Sequence, residues 1–350
     1  MPKLEYAIDT GWISKALTRL EAVLRCGSCR FAAFYFLGFQ AAIVDGGQAG
    51  LFWLAFGIPF WFFHSLGVEL LNRYSDRVED KINRPERTAL CEYVGFERIK
   101  WLAIFIWLLI TLTDIVWLLL YPNGLLAVLL ALAIASGVFY SFFARFKARR
   151  YIAPIILTFP FGGPFMIGWI ATHGDLSAGE LWEDFFFRLL PFFLVPGLFF
   201  MGHIGIKDIT DVAGDKRVGY NSLWVSLLTN RAHFTIMFFV SLWLMVDVAF
   251  VATGLLSTRY LLLLLFWPVS LIIALASARA KSKADNEATR EVFYHYSLLV
   301  LSSSFLLLNP QPQMAMSILA IVAYWVLASQ FLHWNRGIRL DMLRTVFLKT

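Results

Sequence analysis

The fold class predicted by this sequence is all-α: a polytopic bundle of membrane-spanning helices. Three observations carry it. Of the 350 residues, 59% are hydrophobic and only 15% charged, with a mean hydropathy of +0.68, outside the range of ordinary soluble domains. Apolar runs close to the ~20 residues that cross a bilayer as a helix recur along the chain. Basic residues are confined to alternate connections between those runs.

The apolar runs give ten candidate spans: 28–46, 50–71, 100–121, 124–143, 152–172, 185–206, 232–253, 260–278, 293–309 and 313–333. The ninth is the weakest, short and interrupted by Ser302-Ser303-Ser304. Ahead of the first, Ile13, Leu17, Leu20 and Leu24 are interleaved with Lys15, Arg19 and Arg25. Residues 1–25 therefore read either as an amphipathic helix lying in the membrane interface or as a short cytoplasmic helix packed on the bundle. An apolar run that starts this late, behind a charged stretch, is not the pattern of a cleavable signal peptide. No shift in composition marks a second domain, so residues 26–335 form one transmembrane domain, with a basic tail at 336–350.

Of the 30 Lys and Arg residues, 28 fall at the N-terminus, in the even-numbered connections and at the C-terminus; Arg188 and Arg259 are the exceptions. This asymmetry predicts that both termini and the basic loops face the cytoplasm. A nine-span count would place the basic tail Arg336–Lys349 outside. The net charge of +6 thus expresses topology and attraction to anionic membrane lipids, and makes no case for a nucleic-acid partner.

Polar residues at the span ends carry the chemistry. On the second span His64, Val68, Asn72, Asp76 and Asp80 recur every four residues, and on the sixth His203, Lys207, Asp211 and Asp215 do the same. Side chains four apart on a helix stand on one face, about 6 Å from one another. Carboxylate and amide oxygens suit Mg²⁺, which prefers to share its coordination with substrate phosphates. Asn72, Asp76, Asp80, Asp211 and Asp215 are the candidate ligands, with Lys207, Lys216, Arg84 and Arg87 near enough to take remaining phosphate charge. For one column alone a solvated helix end explains as much. Two columns, each with adjacent basic residues at the end of an apolar span, favour a cage for Mg²⁺ and a diphosphate. Asp208 lies on a neighbouring face, where it matters less unless it orients Lys207.

The fourth span closes on Tyr140-Ser141 and the basic run Arg145, Lys147, Arg149 and Arg150. For Arg149 and Arg150 a topological role is the simpler account. Tyr140, Arg145 and Lys147 lie closer to the span end, where topology and contact with an anionic substrate explain them equally well. His64 and His203 read as buried neutral imidazoles, and Glu69 as either a base or a paired structural carboxylate. Cys26-Gly-Ser-Cys29 has zinc spacing, but Cys91 is the one other cysteine and no His/Cys pair completes a site, so reduced structural thiols are expected.

Asn72-x-x-x-Asp76-x-x-x-Asp80-x-x-Asn83-Arg84-Pro85-x-Arg87, then Tyr140-Ser141 with its basic run, then Lys207-Asp208-x-x-Asp211-x-x-Gly214-Asp215-Lys216 together resemble the signature of the UbiA-type intramembrane prenyltransferases. Order, spacing and placement on spans two, four and six agree, over roughly residues 26–280. The resemblance implies a nine-helix core around a lipid-accessible cavity, with the aspartates binding Mg²⁺ and an isoprenyl diphosphate. It also implies transfer of the isoprenyl group to an aromatic, quinone-precursor, glycerol-phosphate or tetrapyrrole acceptor, without saying which. Three features depart from it. Arg73 stands where many members carry a second acidic residue, Phe142-Phe143 replaces the usual proline after Tyr-Ser, and a tenth span exceeds the usual nine.

Two other outcomes are weighed against transfer. A terpene cyclase would use the same ionisation and let the cation close on its own double bonds. An ion-coupled transporter or lipid-binding protein would place its carboxylates near the middle of spans, whereas here they cluster at the ends.

Overall fold

Each of the ten apolar runs is helical in the computed structural model, which describes residues 12–47, 51–149, 152–173, 178–221, 225, 230–335 and 340–348. Chain order gives α1 Trp12–Cys26, α2 Ala32–Asp45, α3 Leu51–Ser75, α4 Arg77–Asn83, α5 Pro85–Val94, α6 Phe96–Leu120, α7 Gly124–Ser141, α8 Ile152–Leu157 and α9 Phe159–Thr172. There follow α10 Ala178–Asp184, α11 Leu190–Asp208, α12 Val212–Arg217, α13 Asn230–Ala252, α14 Trp267–Arg279, α15 Lys283–Leu308, α16 Pro312–Phe331 and α17 Leu340–Leu348. No strand occurs among the described residues.

The starts of these helices follow from local chemistry. Pro85 and Pro312 open α5 and α16 in the first turn, where a missing N–H is harmless. The Asn123 side chain accepts from the backbone of Leu125 and Leu126 ahead of α7, and Ser282 with Asp285 forms a capping box ahead of α15.

The centre of the bundle is α2, in which every residue from Ala32 to Val44 is buried. A helix apolar all round belongs in an interior, and α3, α9 and α16 pack around it. The outer surface is the opposite of a soluble protein's. On α6 alone Trp101, Phe105, Leu108, Leu112 and Leu119 are exposed, a belt that only lipid can satisfy. Among the described residues six helices are long and apolar enough to cross a membrane, or seven if Leu17–Cys26 and Cys29–Asp45, bent by 59°, form one span. The chain is therefore an integral, multi-pass membrane protein.

Two sequence expectations change. The ninth run extends to Lys283 as one 26-residue helix, α15. Ser302-Ser303-Ser304 lie within this helix without breaking it, and the Ser304 hydroxyl donates back to the Val300 carbonyl at 3.0 Å. The fifth run is divided at Thr158 into α8 and α9. In the N-terminal segment, α1 packs on α5, with Ala22 and Val23 buried while Leu17 and Leu20 stay exposed.

Candidate functional site

Neither polar column runs on as one unbroken helix. Asp76 sits between α3 and α4 at φ −95°, ψ 12°, and Asp211 precedes α12 at φ −103°, ψ −7°. The four-residue register survives both breaks. Asp76 N–H donates to Asn72 O at 2.9 Å, Asp80 N–H to Asp76 O at 2.8 Å and Asp215 N–H to Asp211 O at 3.0 Å.

The short helices α4 and α12 then pack against each other. Gly214 makes this approach possible, since a Cβ there would stand 2.4 Å from Asn83 Nδ2. Asn83 uses the closeness twice: Nδ2 donates to Asp211 O at 3.0 Å, and Oδ1 accepts from Gly214 N–H at 2.9 Å. Arg84 completes the bridge, its Nη2 lying 2.6 Å from both carboxylate oxygens of Asp211. The two motifs, about 130 residues apart in sequence, therefore meet through Asn83, Arg84, Asp211 and Gly214.

The loop after α7 reaches the same place. Lys147 Nζ lies 3.1 Å from Asn72 Oδ1, 3.4 Å from Ser75 Oγ and 3.9 Å from Glu79 Oε1, and it pairs with Asp76. Asn72 Oδ1 also accepts from Ser141 Oγ at 2.7 Å. An ammonium thus sits in a cage of hard oxygens, which is the donor chemistry Mg²⁺ requires. Among the described residues no three His, Cys, Asp or Glu side chains converge on one point. Asn72 and Asp76 on one side, with Asp211 and Asp215 on the other, nonetheless fit a shared cation in donor type. Arg145 is exposed and holds the Tyr220 hydroxyl at 2.9 Å, which in turn donates to Glu79 Oε1 at 2.9 Å. Burial and the Glu79 carboxylate push the Tyr220 hydroxyl well above its ordinary range.

Asp80, like Asp211, has both oxygens taken by one arginine, and two further arginines face it. Arg87 Nη2 lies 2.6 Å from both of its oxygens, with Arg73 at 3.5 Å and Arg84 at 3.7 Å. Burial alone would raise its pKa, but Arg87, Arg73 and Arg84 outweigh that and hold the carboxyl below its usual range. Arg73 also pairs with Glu69 and donates Nε–H to Cys26 O at 3.1 Å. Glu69 is thus a paired structural carboxylate. The cysteines Cys26, Cys29 and Cys91 are buried and free, as expected of reduced thiols.

Asn72, Asp76, Asp80, Arg84, Arg87, Asp211 and Asp215, with Glu79, Lys147 and Tyr220, line one cavity of about 210 Å³, which Tyr140 also borders; Arg145 and the three cysteines lie outside its lining. Away from the charges its wall is aromatic, with Phe34, Tyr35, Phe200 and Phe293. Seven carboxylates and six cationic side chains line it among the described residues, so basic side chains alone cannot neutralise a bound diphosphate. Lys216 is exposed and outside this lining. The side chains of His203, Lys207 and Asp208 lie outside the described residues. His64 is buried against the rings of Tyr35, Trp61 and Trp107.

Glu79 and Tyr220 join the site without having been singled out from sequence, and Asn83 and Ser141, quoted there within the motifs, had been given no role of their own. Glu79 had a legible signal, three residues after Asp76 and so on a shared face. Tyr220 had none, because it returns through the turn in which its N–H donates to Asp215 O at 2.9 Å.

A polytopic helical membrane protein with two aspartate motifs joined over an aromatic cavity is the class that fold and site define. The chain belongs to the UbiA prenyltransferase family, whose sequence model matches residues 31–299. No curated protein matches it. Among solved structures it is similar to a digeranylgeranylglyceryl phosphate synthase, at 15% identity and a TM-score of 0.57, over 85% of this chain and 100% of that one. It is also similar to a UbiA homologue from Archaeoglobus fulgidus solved with GPP and Mg²⁺, at 15% identity and a TM-score of 0.51, over 84% of this chain and 98% of that one. The same homologue solved with DMAPP and Mg²⁺ gives a TM-score of 0.50.

Proposed function

We propose that this chain is a Mg²⁺-dependent prenyltransferase, moving the isoprenyl group of an isoprenyl diphosphate to a lipophilic or aromatic acceptor within the membrane. The observation that carries the reading is the junction of α4 and α12, which puts both aspartate motifs over one aromatic cavity. The solved relatives described with GPP or DMAPP and Mg²⁺ support the same chemistry.

Asn72, Asp76, Asp211 and Asp215 would hold Mg²⁺, which when bound stabilises the charge on the departing diphosphate. Arg84 and Lys147 add fixed positive charge at the same end, and Asp80 fixes the arginines that surround it. Lys207, Asp208 and Lys216 of the second motif are further candidates for binding phosphate or for orienting it. The allylic C–O bond breaks with its electron pair on the diphosphate. The rings of Phe34, Tyr35, Phe200 and Phe293 stabilise the isoprenyl cation, and the buried cavity excludes water. An acceptor carbon or oxygen forms the new bond, and its proton leaves with the released diphosphate.

The charge asymmetry of the loops supports a mouth on the cytoplasmic side, with the isoprenyl chain running toward lipid. Residues 26–335 act as one catalytic domain, with α1 at the interface and 336–350 as a cytoplasmic tail. The test is incubation of the protein in lipid nanodiscs with Mg²⁺ and C10 to C20 diphosphates, with and without a panel of acceptors, read by mass. Prenylated acceptor is the expected product. A cyclic hydrocarbon or alcohol formed without acceptor would instead establish the cyclase outcome, and unconsumed diphosphate throughout would overturn both.

A further inference from the structure

The depth of the cavity can be measured along α3. Asn72, Glu69, Val68 and Ser65 recur at helical spacing and all line it, and on this helix the lining stops at Ser65. Ser65 lies seven residues before Asn72, about 10 Å of helix rise away from the aspartates. One turn deeper on the same face stands Trp61, whose side chain is 0% exposed and lies outside the lining.

Trp61 is packed as a floor. Its ring centroid is 5.7 Å from that of Tyr35, which lines the cavity from α2, 5.2 Å from His64 and 6.1 Å from Phe39. On α7 the lining is equally short, with Ser136, Gly137 and Tyr140. Trp107 of α6 fills the gap between α3 and α7. A Cβ on Gly137 would stand 2.4 Å from its ring, and one on Gly67 3.3 Å from its Nε1. The seam between α2 and α15 is backed by α16, where the Trp325 ring stands 5.4 Å from Phe34 and Nε1–H donates to His295 Nδ1 at 2.7 Å. Close-packed rings of this kind yield little to an inserted group.

Each isoprene unit adds four carbons to a chain, about 5 Å at ordinary carbon–carbon bond lengths. About 10 Å of lined wall below Asn72 therefore takes two units, and a third meets Trp61. We infer that the donor is a short-chain allylic diphosphate of two isoprene units, and that Trp61 is the residue that sets this length. Ser65 marks the deepest part of the chain's path. The inference rests on the transferase reading and narrows its donor to C10.

The experiment is calorimetric binding to the full chain in nanodiscs with Mg²⁺. The probes are unreactive thiolodiphosphates carrying C5, C10, C15 and C20 chains, corrected for partition into empty nanodiscs. In wild type, affinity should rise at least about 10-fold from C5 to C10, as five more buried carbons allow. It should fall about 10-fold from C10 to C15, the scale of overpacking a filled interior. Trp61→Leu should move the optimum to C15, and Ser65→Leu should move it to C5. Ser65→Leu removes no core side chain, so it tests the path even where Trp61→Leu fails to fold. Equal affinity for C10, C15 and C20 in wild type, or an optimum unmoved in Ser65→Leu, would overturn the length assignment. An optimum unmoved in folded Trp61→Leu would overturn Trp61 as its floor. Inorganic pyrophosphate is measured on the same samples. Absence of its Mg²⁺-dependent binding in wild type would overturn the transferase reading and this inference with it, whereas pyrophosphate binding with no chain-length optimum would overturn this inference alone.

Discussion

Arg84 is the side chain on which the joining of the two motifs depends most directly. Arg84→Ala deletes the contact at 2.6 Å to both oxygens of Asp211 and the weaker one at 3.7 Å to Asp80. The pair is nearly but not fully buried, with side chains 13% and 16% exposed. Breaking a buried pair from one side costs about 3–5 kcal/mol, because the charge left behind stays desolvated. Residual water contact places Arg84→Ala at the lower end, about 3 kcal/mol. Asp211→Ala leaves Arg84 with Asp80 alone and should cost about 2 kcal/mol. If the two act through their mutual contact, the double variant loses about 3 rather than 5 kcal/mol, a coupling of about 2 kcal/mol. The assay is reversible unfolding in mixed micelles by SDS titration for wild type, both singles and the double. Binding of a short inert diphosphate analogue should fall in Arg84→Ala as much as binding of a long one, since the charge acts on the head and not on the chain. A coupling below about 0.5 kcal/mol would refute the bridge, because independent sites add within that margin.

Other expectations follow from the same geometry. Asp76→Ala, Asp211→Ala and Asp215→Ala should each lower Mg²⁺-dependent turnover at least ~100-fold, and chelation of the metal should abolish it; near-normal turnover in two well-folded variants would count against the cage. Gly214→Ala forces a methyl onto Asn83 and should destabilise the junction by about 1–3 kcal/mol with loss of activity, read by unfolding and turnover together. Asp80 has a lowered folded-state pKa, so its stabilising charge is fully present above the unfolded value of about 3.9 and is lost as pH falls through the folded value. The stability gap between wild type and Asp80→Asn should therefore be constant from neutral pH down to about pH 4 and close only below it. Tags at the two ends should both be accessible from the cytoplasm; a C-terminus found outside would remove one span.

What the sequence made legible was whatever depends on period and on position along a span. Spacing by four put Asn72, Asp76 and Asp80 on one register, and the backbone bonds keep it. Apolar length located the helices to within a few residues, except where polar residues are buried inside protein. Lys283–Val292 read as a loop because Arg290 and Glu291 look like water-exposed residues; they are buried because Glu291 pairs with both Arg30 and Arg290. The roles of the four aspartates were equally hidden, since spacing cannot say which carboxylate faces arginines. Asp80 differs from Asp76 only through Arg73, Arg84 and Arg87, and these contacts exist only once α4 and α5 have folded back.

Arg73 shows how the site tolerates a basic residue where a metal-binding motif would gain from an acid. Its charge is not left free in the cavity wall; it is taken up by Glu69, Asp80 and the Cys26 carbonyl. The cavity keeps seven carboxylates against six cations, where an acid at position 73 would make eight against five. The excess of negative charge that calls for a divalent cation is smaller by two but keeps its sign. Glu79 and Asp76 share Lys147, so the hard-oxygen cage around that ammonium does not depend on position 73. Arg73→Asp should therefore leave the metal requirement in place while destabilising the fold, because Glu69 and the new aspartate would then lie one turn apart with no cation between them. Arg73→Asp with Glu69→Gln should recover part of that loss; failure to recover any would show that the cost arises at Asp80 and the Cys26 carbonyl instead.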